Sequence, residues 1–178
     1  MINLIYTLNE NDFLQLNLYF AKKEGRLKRF IWKSWIIFMA IMTVFIAYLL
    51  FREDYYSVIS LIILVVIIST FHARQMKNIF LKQHKKGMKY YESRFNREVS
   101  LSIDSHLNTT SIAGSNKFNL TEITSIVETQ DHFFIKLKIE AIIIPKSKTE
   151  DFQSTRNELI KLAEAVRTEF VSDLNWKW

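Results

Sequence analysis

Two apolar runs separated by three charged residues constrain this chain more than any other feature. Trp35 to Phe51 holds 17 residues without a charge, and Tyr55 to Ala73 holds another 19, with Arg52, Glu53 and Asp54 between them. A helix needs about 20 mostly apolar residues to cross a ~30 Å hydrocarbon core. The first run reaches that length when Phe30 to Trp32 are added and Lys33 extends its ammonium outward along an apolar stem. A helix pair in a soluble core would show a polar face at helical spacing, and Ile36 to Leu50 shows none. The pattern predicts a transmembrane helical hairpin with spans at about 30–51 and 55–73.

Charge orients this hairpin. Lys22, Lys23, Arg26, Lys28 and Arg29 precede the first span; Arg74, Lys77, Lys82, Lys85, Lys86 and Lys89 follow the second, with Arg94 and Arg97 further on. The connection holds one Arg against two acids. Lys and Arg accumulate on the cytoplasmic side of short flanks, so both termini are expected in the cytoplasm. Trp32, Trp35, Tyr55 and Tyr56 stand at the span ends, where amphipathic rings favour the headgroup level. Lys22, Lys23, Arg26, Lys28, Arg29, Arg74, Lys77, Lys82, Lys85, Lys86 and Lys89 are the candidate headgroup contacts, each gaining about 1 kcal/mol beside an anionic leaflet. The net charge of +6 is concentrated there: residues 20–97 carry 15 Lys/Arg against 4 Asp/Glu, while residues 98–178 carry 9 against 12. Positive charge that brackets the spans is explained by topology, and nucleic-acid binding is not expected. With no cysteine, disulfides, thiolate catalysis and Cys-based metal sites are excluded, as fits a domain facing a reducing compartment. The first 29 residues lack a signal-peptide pattern, so the first span is expected to serve as the insertion signal.

Outside the spans, residues 1–29 read as a short strand (Ile2, Leu4, Tyr6 alternating) followed by a helix over Asn11 to Lys23, whose start is signalled by Asn9 and Asp12. Gly25 loosens the junction with the span. Residues 74–96 contain no breaker before Gly87 and read as a basic helix continuing the second span, either lying along the membrane or packing on the soluble domain. From Arg97 the period changes to two. Val99, Leu101 and Ile103 alternate with Ser100, Ser102 and Asp104. A turn at Asp104 to Asn108, a strand at Thr109 to Ile112 and a turn at Gly114 to Asn116 follow. Ile123, Ile126 and Val127 are consistent with a turn of helix or an irregular link. Phe133 to Ile139 alternates again, and Ile142 to Ile144 is a strand ended by Pro145. Ser147 and Glu150 have capping-box spacing, and Phe152, Leu159, Leu162, Ala163, Val166 and Phe170 form one apolar helical stripe. Residues 97–178 are thus expected to form a small antiparallel sheet covered by a C-terminal amphipathic helix, making the whole a membrane α+β protein. Trp176 and Trp178 belong to a short tail.

The order of two spans, basic linker and β-rich unit, with the stretch LTEITSIVETQDHFFIKLKIEAIIIPKS, resembles the YcxB-like family of small bacterial membrane proteins. The most specific part runs from Leu120, Glu122 and Ile123 through Glu128 and Phe133–Leu137 to Ile142-Ile143-Ile144-Pro145-Lys146. The C-terminal part of that family resembles bacterial pleckstrin-homology-like (PH-like) domains, which implies a bent antiparallel sheet capped by a helix at the bacterial inner membrane. Members often carry Trp where this chain has Leu120. The resemblance implies no catalytic residues.

The residues supply no catalytic constellation either. His72, His84, His106 and His132 are dispersed, none at metal-ligand spacing from another His or a carboxylate. His72 reads as an interface residue and His132 as a neighbour of a turn. Ser102, Asp104 and His106 lie on one stretch and cannot supply triad geometry. No Gly-rich phosphate loop exists. Glu122, Glu128 and Asp131 read as solvated groups at strand connections. Neither enzyme activity, cofactor nor metal is expected. Inside the spans, Ala40, Thr43 and Ala47 make a small-residue face for close approach of the two helices, or of two protomers in a homodimer. Three functions fit: presentation of the β module to an unidentified protein or peptide partner; immunity against a membrane-acting toxin; and lipid-headgroup sensing through Lys82, Lys85, Lys86 and Lys89.

Overall fold

A computed structural model describes residues 2–149 and 151–178. The chain forms two compact units. One combines the residues up to Asn17 with Gly87–Trp178, and the other is Leu18–Lys86. The sequence reading divides the chain at 29/30, 73/74 and 96/97, whereas contacts divide it near 17/18 and 86/87.

The reason lies in the first strand. β1 (Ile2–Leu8) pairs antiparallel with β2 (Arg97–Ile103) along its whole length, from Ile2↔Ile103 to Leu8↔Arg97. Its alternating side chains bury Ile2, Tyr6 and Leu8 and leave Asn3 and Ile5 exposed, the period of a half-buried strand. Sheet pairing therefore places β1 in the same unit as β2, across a long insertion. β3 (His106–Ser111) and β4 (Gly114–Asn119) complete a four-stranded sheet in the order β1-β2-β3-β4. The turn expected at Gly114 to Asn116 falls instead at Ile112–Ala113, because Gly114 already pairs with Ser111.

A second sheet runs β7-β6-β5-β8. β5 (Ile123–Glu128) is a full strand, with a register shift between Ile123 and Ser125. It is sandwiched between β6 (His132–Leu137) and β8 (Glu169–Ser172), so pairing on both sides organises a stretch whose local spacing was ambiguous. β7 (Ala141–Pro145) is the outer antiparallel strand, and Pro145 sits at its end. Both faces of β6 are buried: Phe133, Phe134 and Ile135 are fully enclosed.

α1 (Glu10–Lys23) starts where expected. Asn9 Oδ1 accepts the Asp12 N–H at 3.0 Å, and Asp12 Oδ2 accepts the Asn9 N–H at 2.8 Å, closing a reciprocal cap. α4 (Phe152–Ala165) is capped by Asp151, whose Oδ1 accepts the N–H groups of Gln153 and Ser154. Asp151 replaces the expected Ser147 cap, and Glu150 lies outside the described residues. Arg167 takes a positive φ of 57° and Thr168 N–H bonds Ala163 O at 2.9 Å, a left-handed stop after the last turn. Phe170, expected on the helical stripe, consequently lies in β8.

In the other unit, α2 (Arg26–Phe51) and α3 (Tyr55–Gly87) form an antiparallel hairpin, and each is long and apolar enough to cross a membrane. Phe30 meets Phe80 with ring centroids 5.5 Å apart, Ser34 Oγ donates to Met76 Sδ at 3.0 Å, and Phe38 stacks on His72 at 6.0 Å. Asp54 Oδ1 accepts the Ser57 N–H at 3.2 Å, capping α3. With 33 residues, α3 is about 50 Å long, far more than a bilayer core requires. The second apolar run thus continues without a break into the basic segment, as expected, and Met88–Arg94 follows as a 3-10 turn.

Candidate functional site

Two of the solvated or bland residues read from the sequence turn out to be buried. Glu128, at the end of β5, is only 2% exposed. Its Oε1 accepts Lys146 Nζ at 2.8 Å; its Oε2 accepts Arg156 Nε at 2.9 Å and Ser172 Oγ at 3.2 Å. One carboxylate therefore joins β5, the chain just after β7, α4 and β8. Lys146 also lies over the Phe133 ring at 4.8 Å, and Arg156 lies over Phe170 at 5.8 Å. Burial raises the Glu128 carboxyl pKa, but the hydrogen bonds and positive charges of Lys146 and Arg156 outweigh it and hold the group below the usual carboxylate range.

His132, at the start of β6, donates Nε2 to Asp12 Oδ1 at 2.8 Å, with both side chains about 94% enclosed. Its ring stacks on Phe134 at 5.6 Å. Since alternate residues share a face, α1 brings Asp12 to the face of β6 that carries His132 and Phe134. Burial again raises the Asp12 pKa, and the His132 hydrogen bond, the Asn9 N–H and the charges of His132 and Lys148 together bring it below the ordinary value. No sequence spacing signals either cluster: Asp12 and His132 are 120 residues apart.

A surface cleft of about 420 Å³ lies between Ile2–Ile5 of β1 and Lys148, Thr149, Asp151, Ser154, Thr155 and Glu158 around the start of α4. Lys148 Nζ donates to Thr7 O at 2.7 Å and to Thr7 Oγ1 at 3.0 Å. Leu8 O, by contrast, accepts the Asn96 N–H at 2.7 Å, so it faces the β2 side. Carbonyls alternate in direction along a strand. Thr7 O therefore points away from β2, and the backbone groups of Asn3 and Ile5 point the same way, along the cleft.

Within the hairpin, antiparallel packing brings Arg26, Lys28 and Arg29 to the same end as Arg74, Lys77, Lys82, Lys85 and Lys86, opposite the Arg52–Asp54 connection. Lys22 and Lys23 occupy the last turn of α1, and Lys89 the 3-10 turn beyond α3. Apart from half-buried Lys77, these side chains are exposed. Arg26 Nε also pairs with Glu24 at 3.2 Å. His72 is packed against Phe38 and buried, and among the described residues its Nε2 has no hydrogen-bond partner. Ala40, Thr43 and Ala47 are exposed, so the helices approach along Phe30, Ser34 and Phe38 and not along the small-residue face. Among the described residues, no group of three or more His, Asp or Glu is placed to hold a metal ion.

Comparison of the chain with family models, curated proteins and solved structures finds no match.

Proposed function

We propose that this chain is a non-enzymatic, two-pass protein of the bacterial inner membrane, with both termini cytoplasmic, that presents a PH-like module for protein or peptide binding. The observation that supports this most is that the hairpin is inserted, in the sequence, between two paired strands of the β unit. β1 and β2 are neighbours over seven residue pairs, yet both apolar helices lie between them in the chain. Completing the sheet requires the chain to leave β1, run through both apolar helices and return to β2, so two chain crossings connect the β unit to the hairpin. The buried ionisable groups of the module serve one another, as in the Glu128 and Asp12 clusters, which fits a scaffold whose surface binds. The charge bias at one end of the hairpin supports the orientation, and two sheets with the late helix α4 motivate the PH-like reading, from which β8 departs by following that helix and pairing parallel with β5.

The test is cross-linking capture from native membranes, comparing the intact protein with Leu101→Asp. Leu101 is fully buried in β2, so this change breaks the β unit and leaves the hairpin in place. A specific protein captured by the intact chain and lost with the variant is expected; recovery of lipids and bystanders alone from both would overturn the reading. Capture of a toxin would favour the immunity version. Lipid sensing is the second reading, favoured by the exposure of Lys82, Lys85, Lys86 and Lys89; it requires that neutralising these four lysines abolish a preference for anionic vesicles.

A further inference from the structure

The four outer strands of the two sheets differ in how they are protected. β4 carries Lys117 and little apolar surface, β7 ends in Pro145, and β8 carries Glu169 and spans four residues. Charges, proline and shortness are the usual devices that keep an edge from pairing with another chain. β1 has none of them from Ile2 to Ile5, and Ile5 is 72% exposed. Its outward carbonyl at Thr7 already accepts a donor, because Lys148 Nζ occupies the position that the N–H of a neighbouring strand would take. The next outward positions, Ile5 and Asn3, open on the cleft.

We infer that the outer edge of β1 between Asn3 and Ile5 is a docking groove for a lone extended segment of a partner protein, apolar in character and carrying a basic residue. This rests on the protein-binding reading above and names where and how that binding occurs. Strand addition supplies main-chain hydrogen bonds, and side-chain pockets select the sequence. The occupant must be a lone strand. An added strand would lie between β1 and the first turns of α4, and the edge of a second copy would bring its own β2 to the place α4 holds. Charge sets the basic residue. Among the described residues that line the cleft, Asp151 and Glu158 bring two negative charges against the one positive charge of Lys148, which is engaged at Thr7.

The groove is tested by placing a photo-crosslinking benzoylphenylalanine at Asn3 in the full chain in native membranes, with Asn116 on the β4 edge as the control position, and mapping the cross-linked peptide by mass spectrometry. The companion variant is Ile5→Pro. Since the Ile5 N–H faces outward, proline removes a docking donor without removing a bond to β2. Ile5→Lys is the second variant, should proline disturb the strand. The expected result is a cross-link from Asn3 to one linear segment containing Lys or Arg, at least tenfold weaker with either variant and weakened likewise by Asp151→Asn, which removes the charge and keeps the capping oxygen. Cross-links that persist in both variants, that arise from Asn116, that map to an acidic segment or that map to a second copy of this chain overturn the groove while the protein-binding reading stands. Absence of any protein cross-link in the chain that carries no further substitution, from either position, overturns both.

Discussion

The hairpin and the β unit answer the same hydrophobic driving force in opposite ways. In the β unit, apolar side chains are enclosed: Leu101, Leu107, Ile126, Ile135 and Leu159 are fully buried. In the hairpin, α2 buries no residue at all, and Ile36, Ile41, Val44 and Phe45 are all more than half exposed. Two helices in contact have too little shared surface to cover their own circumference, and the proposed membrane setting supplies the apolar surroundings that helices apolar all round require. The β unit closes its core with its own two sheets. Polar groups follow the same division. The β unit buries Glu128 and Asp12 with partners in place, whereas the hairpin confines its charges to one end and to the connection.

The largest expected effect separates the two units by an ion cluster. Glu128→Ala leaves Lys146 and Arg156 beside an empty site and should destabilise the β unit by about 3–5 kcal/mol. Amide exchange would show it as lost protection in β5 to β8 with α2 and α3 unchanged; equal loss in the hairpin would mean that the units are not energetically separate. Next comes one substitution made in two solvents. Ile63 is 55% exposed and Ile139 is 94% exposed, yet Ile63→Arg should cost about 2.5–3.5 kcal/mol in membrane insertion, against roughly 0.5 kcal/mol or less for Ile139→Arg in folding. If membrane fractionation finds Ile63→Arg as harmless as Ile139→Arg, the hairpin does not face lipid.

Smaller is the loss of the clamp between α1 and β6. Asp12→Ala leaves buried His132 unpaired and should cost about 1–3 kcal/mol, read by chemical denaturation of the detergent-solubilised protein. Acid sharpens the same contrast. Both Asp12 and Glu128 are held below their ordinary values of 3.8 and 4.5. Their contribution is therefore present above the ordinary carboxylate range and is lost as pH falls below it through the lowered folded-state values. The β unit should unfold in that acid window before α2 and α3, which contain no carboxylate, and Glu128→Gln should flatten the dependence. Last, Asp151→Ala removes the α4 cap and should cost about 0.5–2 kcal/mol, confined to exchange in the first turn of α4.

Particular residues show how far local pattern reaches. The Asn9–Asp12 cap, the strand around Leu101 and the uninterrupted run from Tyr55 to Gly87 are short-range features, and each stands in the structure where its spacing puts it. Ile123 to Glu128 was ambiguous because its strand character comes from β6 and β8 on either side. Phe170 fitted the helical stripe by periodicity, but the left-handed turn at Arg167 moves it into a strand. Glu128 was misplaced at the surface because its partners lie 18, 28 and 44 residues away, and no window of sequence holds them together.

The sequence by itself determined that there are two long apolar helices, that a β-rich unit follows them, and where basic charge accumulates, since length, hydropathy and charge act residue by residue. Only the tertiary structure decided that β1 belongs to the second half of the chain, that Asp12 and His132 meet, and that Ile2–Ile5 of β1 faces the start of α4 across a cleft. Those are pairings between distant segments, and the backbone hydrogen bonds and buried charges that select them depend on which surfaces folding brings into contact.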